Sequence, residues 1–188
     1  VQDVQSVVST MKTMAAVHVR QYAAAADAMA TYKKNIDLGF HVLLKDRRIP
    51  QTRQERGEAG AAVVFGSDQG LCGSFNSDIV QYALSNVRAS PNNSCRFLVV
   101  GRRAATLLET ELSQVKNVVG HNGHSGPAKL VIDGVFRAPS TVSAITTLLQ
   151  DISPTLDSWR AAGIGQIHVY FNKRTTAAAY KPAQRQLF

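Results

Sequence analysis

Residues 61–76 read AAVVFGSDQGLCGSFN, a short apolar run followed by a turn that contains three glycines. The run Ala61–Phe65 has the length and composition of a buried strand. The glycines, together with Ser67 and Asp68, predict a tight turn. Apolar residues then recur at helical spacing over residues 78–87. A strand, a turn and a helix in this order are the first unit of an α/β fold.

The same alternation continues along the chain. The sequence predicts strands at 96–100, 115–119 and 166–171. Helices are predicted at 102–111 and 140–160, the second with a kink near Pro154, and residues 120–127 are irregular. A last strand at 177–180 would form a hairpin with the strand before it. We therefore predict an α/β domain over residues 61–188, with a mostly parallel sheet flanked by helices.

The first 48 residues predict a different element. They contain no proline and only one glycine, Gly39. They predict one helix of about 65–70 Å over residues 1–48. A polar, breaker-rich linker follows at 49–60. Apolar residues recur in the helix at steps of three and four, so it is expected to protrude and to form half of a coiled coil; the stripe contains Val4, Val7, Val8, Met11, Met14, Ala15, His18, Val19, Tyr22, Ala25, Ala26, Met29, Tyr32, Ile36, Phe40 and Leu43.

The charge of the chain restricts its partners. The 188 residues carry a formal net charge of +8. A negative partner is expected, either nucleic acid, an anionic membrane surface or acidic protein loops. The basic residues are scattered and lack the spacing of known nucleic-acid-binding motifs, which argues against nucleic acid. No apolar run approaches the roughly 20 residues of a membrane span, so the sequence predicts a soluble chain.

Two residue patterns that could bind a cofactor or a metal fall short of the required spacing. Gly66, Gly70 and Gly73 do not have the spacing of a dinucleotide-binding loop, and no lysine follows to bind a phosphate. His121 and His124 lie in a loop without a third ligand close in sequence. We therefore predict no cofactor and no metal.

The two cysteines leave an enzymatic alternative open. Cys72 stands at a strand-to-helix turn, where a nucleophile can be activated by the helix amino terminus. A base such as His121, His124 or His168 would have to lie close to the sulfur. The spacing of Cys72 and Cys95 fits no zinc site, and both are otherwise expected to be free thiols.

Two motifs together resemble one protein family. Residues 9–17 read STMKTMAAV and residues 66–77 read GSDQGLCGSFNS. Both resemble motifs of the γ subunit of F-type ATP synthases, and residues 99–102, 170–173 and 186–188 resemble later stretches of that family. Gln69 and Ser74 replace an arginine and a glycine of the family pattern. The stretch 5–22 resembles more closely the alternate F-type ATPases encoded by second operons in some bacteria.

The resemblance implies a central-stalk rotor that couples ion translocation to ATP synthesis by rotating inside the hexamer of α and β subunits. It implies a non-catalytic subunit whose first helix pairs with a carboxy-terminal helix that this sequence would lack. The α/β domain would contact the ε subunit and the c-ring, and through them the membrane only indirectly. The expected location is the cytoplasmic face of the bacterial inner membrane, as a peripheral subunit.

The resemblance also implies residues for subunit interaction. Met11, Lys12 and Arg20 would face a β subunit, within a basic face that also bears Lys33 and Lys34. The turn at the lower end of the head would contribute Gly70, Leu71, Cys72, Gly73, Phe75 and Asn76. Two alternatives remain open, a thiol-dependent enzyme that uses Cys72 and a helical module that self-associates, for instance as a homodimer of the isolated fragment.

Overall fold

A computed structural model describes residues 2–44, 60–89, 94–118, 129–176 and 179–187. These residues group into two compact units. The first contains the long helix and residues 139–147, and the second contains the sheet and its packed helices. Residues 45–59, which include most of the predicted linker, lie outside the described part of the chain.

The first unit is built on helix α1, Gln2–Leu44. Its 43 residues correspond to a length of about 65 Å, since a helix rises about 1.5 Å per residue. The Tyr22 hydroxyl donates a hydrogen bond to the carbonyl of Pro139 at 3.0 Å. Tyr22, Ala23 and Ala25 are half-buried, whereas the other α1 side chains described between Val4 and Leu38 are exposed.

The rest of the chain confirms the predicted α/β class. The strands lie in the order β3-β2-β1-β4-β5. Strands β1 to β4 pair in parallel, and β5 pairs with β4 in the antiparallel sense. The remaining elements are β1 (Gly60–Phe65), α2 (Phe75–Arg88), β2 (Cys95–Val100), α3 (Arg102–Val118), β3 (Leu130–Phe136), α4 (Val142–Ala161), β4 (Gln166–Arg174) and β5 (Tyr180–Gln186).

Both faces of the sheet are covered by helices. Ala62 and Val64 of β1 pack in a core with residues of α2 and α3. Ala61 and Val63 point to the other face, into a core that includes Trp159 of α4. A strand buried on both faces has no polar face, which explains why β1 is a continuous apolar run rather than an alternating one.

The predicted strand at residues 115–119 is wrong. Residues 115–118 are the last residues of helix α3, and residue 119 lies outside the described part. Leu108, Leu112 and Val115 are spaced by four and three, so the helical period continues past Glu111. The strand that pairs with β2 is β3 instead.

Strand β3 was missed because Asp133 and Gly134 interrupt its apolar residues. The register between β2 and β3 shifts beside Leu98, where a bulge leaves one extra residue in β3. A Cβ on Gly134 would lie 3.0 Å from Cδ2 of Leu98, which is closer than ordinary packing. A larger residue at this position would require the side chains of Leu98 and Phe136 to shift by a few tenths of an ångström. Helix α4 extends from Val142 to Ala161 and contains Pro154 in its interior.

The last two strands form the predicted hairpin. Thr175 N–H donates to the carbonyl of Ala179 at 2.9 Å. Leu187 N–H donates to the carbonyl of Ile167 at 2.8 Å. Every second residue of β5, counted back from Leu187, therefore directs its N–H group to β4. Pro182 falls between these positions, opposite Asn172. Its backbone nitrogen therefore faces away from β4 at the outer edge of the sheet.

Candidate interaction surfaces

The first candidate surface is the apolar stripe of α1, which we define as the exposed side chains of Val4, Val7, Val8, Met11, Met14, Met29, Tyr32 and Ile36. Met11, predicted as an interaction residue, is 60% exposed. Burying one such side chain contributes about 1.5–3 kcal/mol. The stripe therefore represents a large amount of burial that the described residues of the first unit do not provide.

The polar residues predicted on α1 lie beside this stripe. Lys12 and Arg20 are exposed. Lys12 follows Met11 directly, so it projects about 100° further around the helix. Lys33 forms an ion pair with Asp37 one turn later, which leaves Lys12 and Arg20 as the better candidates for an external acidic partner.

The second candidate surface is the loop from Gly66 to Ser74, between β1 and α2. Two glycines bring it against the start of α3. A Cβ on Gly66 would overlap the Cβ of Ala104 in α3 and lie 2.7 Å from Oδ1 of Asn76 in α2. One on Gly101, whose φ is +107°, would lie 2.7 Å from the nitrogen of Ser67. Neither position can take a side chain without movement of the backbone. The glycines of this loop thus permit packing at the carboxyl edge of the sheet.

Asp68 fastens the loop to two further segments. Its Oδ1 accepts a hydrogen bond from Arg102 N–H at 2.8 Å, and its Oδ2 accepts one from Ala138 N–H at 3.1 Å. The carboxylate lies at the amino terminus of α3, where the helix dipole favours a negative charge. Asp68 lies inside the motif of residues 66–77 but was not among the residues predicted to interact.

Asn76 supports the loop from inside. It is 3% exposed, and its Oδ1 accepts a hydrogen bond from Ser67 N–H at 2.8 Å. Its Nδ2 donates to Ser67 Oγ at 2.8 Å and to Cys72 Sγ at 3.3 Å. A buried amide with these partners fixes the backbone on both sides of the loop.

The tip of the loop is exposed and has an unusual conformation. Leu71 has φ of +58° and a relative exposure of 110%. Gly73 also has φ of +58°. Gly70 is exposed as well. The structure thus places Gly70, Leu71 and Gly73 together at the surface, and their role in subunit contact stays a prediction.

Phe75 attaches the start of α2 to the hairpin of β4 and β5. Its ring packs edge to face on Tyr180, with centroids 5.1 Å apart. Asn172 Nδ2 donates to the Phe75 carbonyl at 2.8 Å. The Tyr180 hydroxyl donates to Asp78 at 3.0 Å, and Ser74 donates to the same carboxylate oxygen at 2.8 Å. The sequence did not indicate the pair of Tyr180 and Asp78, because the two residues are 102 positions apart.

Cys72 has neutral contacts in this loop. Its sulfur lies 3.6 Å from Ser67 Oγ and 3.7 Å from the Gln69 carbonyl, in addition to the Asn76 amide. None of these groups is a general base. His121 and His124, two of the three bases predicted for it, lie outside the described residues.

Three titratable groups with shifted pKa values, Cys95, Tyr170 and His168, lie on the face of the sheet that packs against α2. Burial, and second the charge of Asp133, raise the pKa of Cys95 to about 12. Burial also raises the pKa of Tyr170 to about 12 and lowers the pKa of His168. All three groups are therefore held neutral near pH 7, which suits a core rather than a reactive centre.

Among the described residues, no set of three or more His, Cys, Asp or Glu side chains is placed to hold a metal ion. A search of the same residues finds no helix with the length and apolar character needed to cross a membrane.

Comparison with known proteins identifies the family. The family described as ATP synthase matches residues 1–188, the whole chain. The protein belongs to the ATP synthase γ-subunit family. A mitochondrial ATP synthase subunit gamma from Arabidopsis thaliana is 28% identical over 184 residues, which cover 97% of this chain and 48% of that protein. The chain thus spans about half the length of this γ-subunit relative.

Two solved structures resemble the γ-family chain. One is the central stalk and c-ring of the mitochondrial ATP synthase of Tetrahymena thermophila, with a TM-score of 0.50 and 18% identity over 94% of this chain and 70% of that one. The other is the rotor of the mitochondrial ATP synthase of Euglena gracilis, with a TM-score of 0.46 and 15% identity over 99% of this chain and 63% of that one. The first of these likenesses supports the fold.

Proposed function

We propose that the chain is part of the central-stalk rotor of an F-type ATP synthase, which couples ion translocation to ATP synthesis or hydrolysis by rotating inside the α/β hexamer. The observation that carries the proposal is the apolar stripe, exposed along a helix of 43 residues in a member of the γ family. In this role the chain supplies a shaft and a set of contacts, and the ATP chemistry belongs to the subunits around it.

The stripe fits an antiparallel partner helix. Its spacing of three and four residues is that of a coiled-coil seam. Eight side chains that each gain about 1.5–3 kcal/mol on burial would hold two helices together firmly. A two-helix shaft is stiffer than one helix and can transmit torque. Its angle would bias the conformation of each β subunit, because the shaft presents a different face to each.

The remaining contacts follow from the two candidate surfaces. Lys12 and Arg20 would meet acidic loops of a β subunit, and the loop from Gly66 to Ser74 would contact the lower end of the hexamer. The α/β unit would contact the ε subunit and the c-ring. A bacterial complex would place the chain at the cytoplasmic face of the inner membrane, and its closest functional type would be the alternate F-type ATPase.

The proposal can be tested by assembly of the full-length protein with its α and β subunits. The double variant Val8→Glu/Met11→Glu places two charges in the apolar stripe. We expect it to lower the yield of complex and to abolish ATP-driven rotation, because a charge in a helix seam is strongly unfavourable. Ser6→Glu is the matched control, since Ser6 is exposed on the same helix but lies outside the stripe.

The charged contact is tested in the same complex. Lys12→Glu/Arg20→Glu should leave the yield unchanged and weaken the coupling of ATP hydrolysis to ion pumping. Normal assembly and rotation of the Val8→Glu/Met11→Glu variant would contradict the rotor proposal.

A self-associating helical module is the second candidate, and the same stripe favours it. A pair of identical α1 helices would bury the same side chains. Sedimentation equilibrium of the full-length protein alone distinguishes the two, since a rotor subunit with its own partner helix stays monomeric whereas the module forms a dimer that Val8→Glu/Met11→Glu dissociates.

A further inference from the structure

A pocket at the amino edge of the sheet belongs to neither candidate surface. It has a volume of about 150 Å³ and is lined by the first residues of three strands, Gly60 of β1, Cys95 of β2 and Gln166 of β4. The loop from Gly66 to Ser74 follows the last residue of β1, at the opposite edge of the sheet. In another protein, an apolar cavity of about 150 Å³ holds one benzene molecule. The pocket therefore has room for a single six-membered ring.

The pocket forms where β1 has no side chain. Gly60 pairs with Cys95 on one side and with Gln166 on the other. Among the described residues, a Cβ on Gly60 would come within 4 Å only of the Ser94 carbonyl oxygen, at 3.9 Å. This distance is ordinary van der Waals contact, so close packing does not require the glycine. The space beside Gly60 is open, and Val87 of α2 also lines it.

A tyrosine in the wall of the pocket has an unused hydroxyl. Tyr170 lines the pocket and is 3% exposed. Its ring packs edge to face on Tyr82, with centroids 6.1 Å apart, which fixes the direction of the hydroxyl. The hydroxyl forms no hydrogen bond with another described residue, yet it is not sealed from open space. Because a buried tyrosine hydroxyl normally has a partner, this one is available to a ligand in the pocket.

The other side chains around the pocket favour an uncharged ligand. Among the described residues that line it, none is Asp, Glu, Lys or Arg, although the chain has a net charge of +8. Burial lowers the pKa of His168, which keeps this side chain neutral near pH 7. Gln166 and Gln184 are exposed at the rim, and each amide offers donors and an acceptor. A charged ligand would lose hydration here without gaining an ion partner.

We propose that this pocket binds a small, uncharged aromatic carboxamide of one ring, with the Tyr170 hydroxyl as its hydrogen-bonding anchor. The ring occupies the space beside Gly60, against the apolar side chains of Val87 and Cys95. The carboxamide has both a donor and an acceptor, which suit the tyrosine hydroxyl and the amides at the rim. The site is a property of the α/β unit alone and does not depend on the rotor proposal.

Binding is tested by titrating the full-length protein with benzamide and following backbone amide shifts by NMR. We expect a dissociation constant of about 1 mM, typical of a ligand of this size, with shift changes at Gly60 and Cys95. Benzoate has nearly the same shape but a negative charge, and toluene lacks the polar group. Each should bind about five- to tenfold more weakly, because benzoate loses hydration without an ion partner and toluene forms no hydrogen bond.

Three variants locate the site. Tyr170→Phe should weaken benzamide binding about three- to tenfold, so that benzamide and toluene bind alike, and should leave the melting temperature equal or higher. Gly60→Val fills the space beside the strand and should abolish binding, and valine is well suited to a strand. Tyr82→Phe is the matched control, since Tyr82 packs on the same ring without lining the pocket, and it should bind benzamide like the parent protein.

Each other outcome overturns the inference. If the parent protein does not bind benzamide, or binds benzoate or toluene equally well, the pocket does not have the assigned chemistry. If Tyr82→Phe weakens binding as much as Tyr170→Phe, or if Gly60→Val binds like the parent protein, the ligand lies elsewhere. Should Gly60→Val fail to fold, Tyr170→Phe still decides, because it removes one hydroxyl without a partner. The rotor proposal is untouched by all of these results.

Discussion

Replacement of Asp133 should measure how strongly strand β3 is fixed to helix α4. Asp133 Oδ2 accepts a hydrogen bond from Nε1 of Trp159 at 2.6 Å and another from Nε of Arg96 at 2.6 Å. Trp159 is fully buried, whereas the Arg96 side chain is 45% exposed. The two bonds to the same carboxylate should therefore differ in their contribution to stability.

The structure gives a magnitude for Asp133→Ala. A buried indole N–H without an acceptor costs about 1–3 kcal/mol. Loss of the exposed arginine pair adds at most about 1 kcal/mol, because solvent screens it. We expect the free energy of unfolding to fall by about 1–4 kcal/mol in Asp133→Ala. Arg96→Gln, which removes only the exposed partner, should cost about 1 kcal/mol or less.

Urea unfolding provides the assay. Trp159 is the only tryptophan of the chain, so its fluorescence reports on this site, and circular dichroism reports on the whole chain. Asp133→Asn keeps one acceptor for the indole and should fall between the other two variants. A loss in Arg96→Gln equal to that in Asp133→Ala would refute the reasoning, because it would place the energy in the exposed ion pair.

Two further predictions concern pH. Burial lowers the pKa of His168 below its ordinary value of 6.5, so the unfolded chain takes up a proton before the folded one. The contribution of neutral His168 to the free energy of unfolding should be fully present above pH 6.5 and be lost as the pH falls through the lowered pKa of the folded state. His168→Gln should therefore show a smaller difference in urea midpoint between about pH 7.5 and about pH 5. Burial raises the pKa of Cys95 from 9.0 to about 12, so its contribution is present below 9 and is lost as the pH rises toward 12. Cys95→Ala should lose less stability across this alkaline range in the same urea assay, and an unchanged slope would contradict the assignment.

The elements that could be predicted from sequence are those whose pattern follows from burial alone. Ala61 to Val64 are at most 2% exposed, and a strand covered on both faces must be continuously apolar. The apolar stripe of α1 was predicted for a related reason, since its spacing depends only on the helical period.

Strand β3 could not be predicted in the same way. It is at the end of the strand order, its burial is partial, and Asp133 interrupts its apolar residues. Asp133 accepts a hydrogen bond from Trp159, which is 26 residues away in the sequence. Local patterns do not encode a partner at that distance. Residues 115–118 were predicted as a strand because they contain two valines, and β-branched residues are common in strands. Here the valines lie at the end of helix α3.

The second candidate surface was located by its motif, but the motif did not describe its shape. The motif predicts that Leu71 and Asn76 belong to a turn that contacts other subunits, which stays a prediction. It could not show that Leu71 takes a left-handed backbone, or that Asn76 is buried and ties both flanks of the tip. Such features depend on where the chain packs after the turn, at α3 and at the hairpin of β4 and β5.

The orientation of Pro182 limits how the sheet can grow. A strand that added to β5 would need an N–H group from this position, and proline has none. Lys181 and Arg185 on the same strand add positive charges that would repel an identical strand from another copy. Two copies of the chain are therefore disfavoured from pairing edge to edge through β5, even at high concentration.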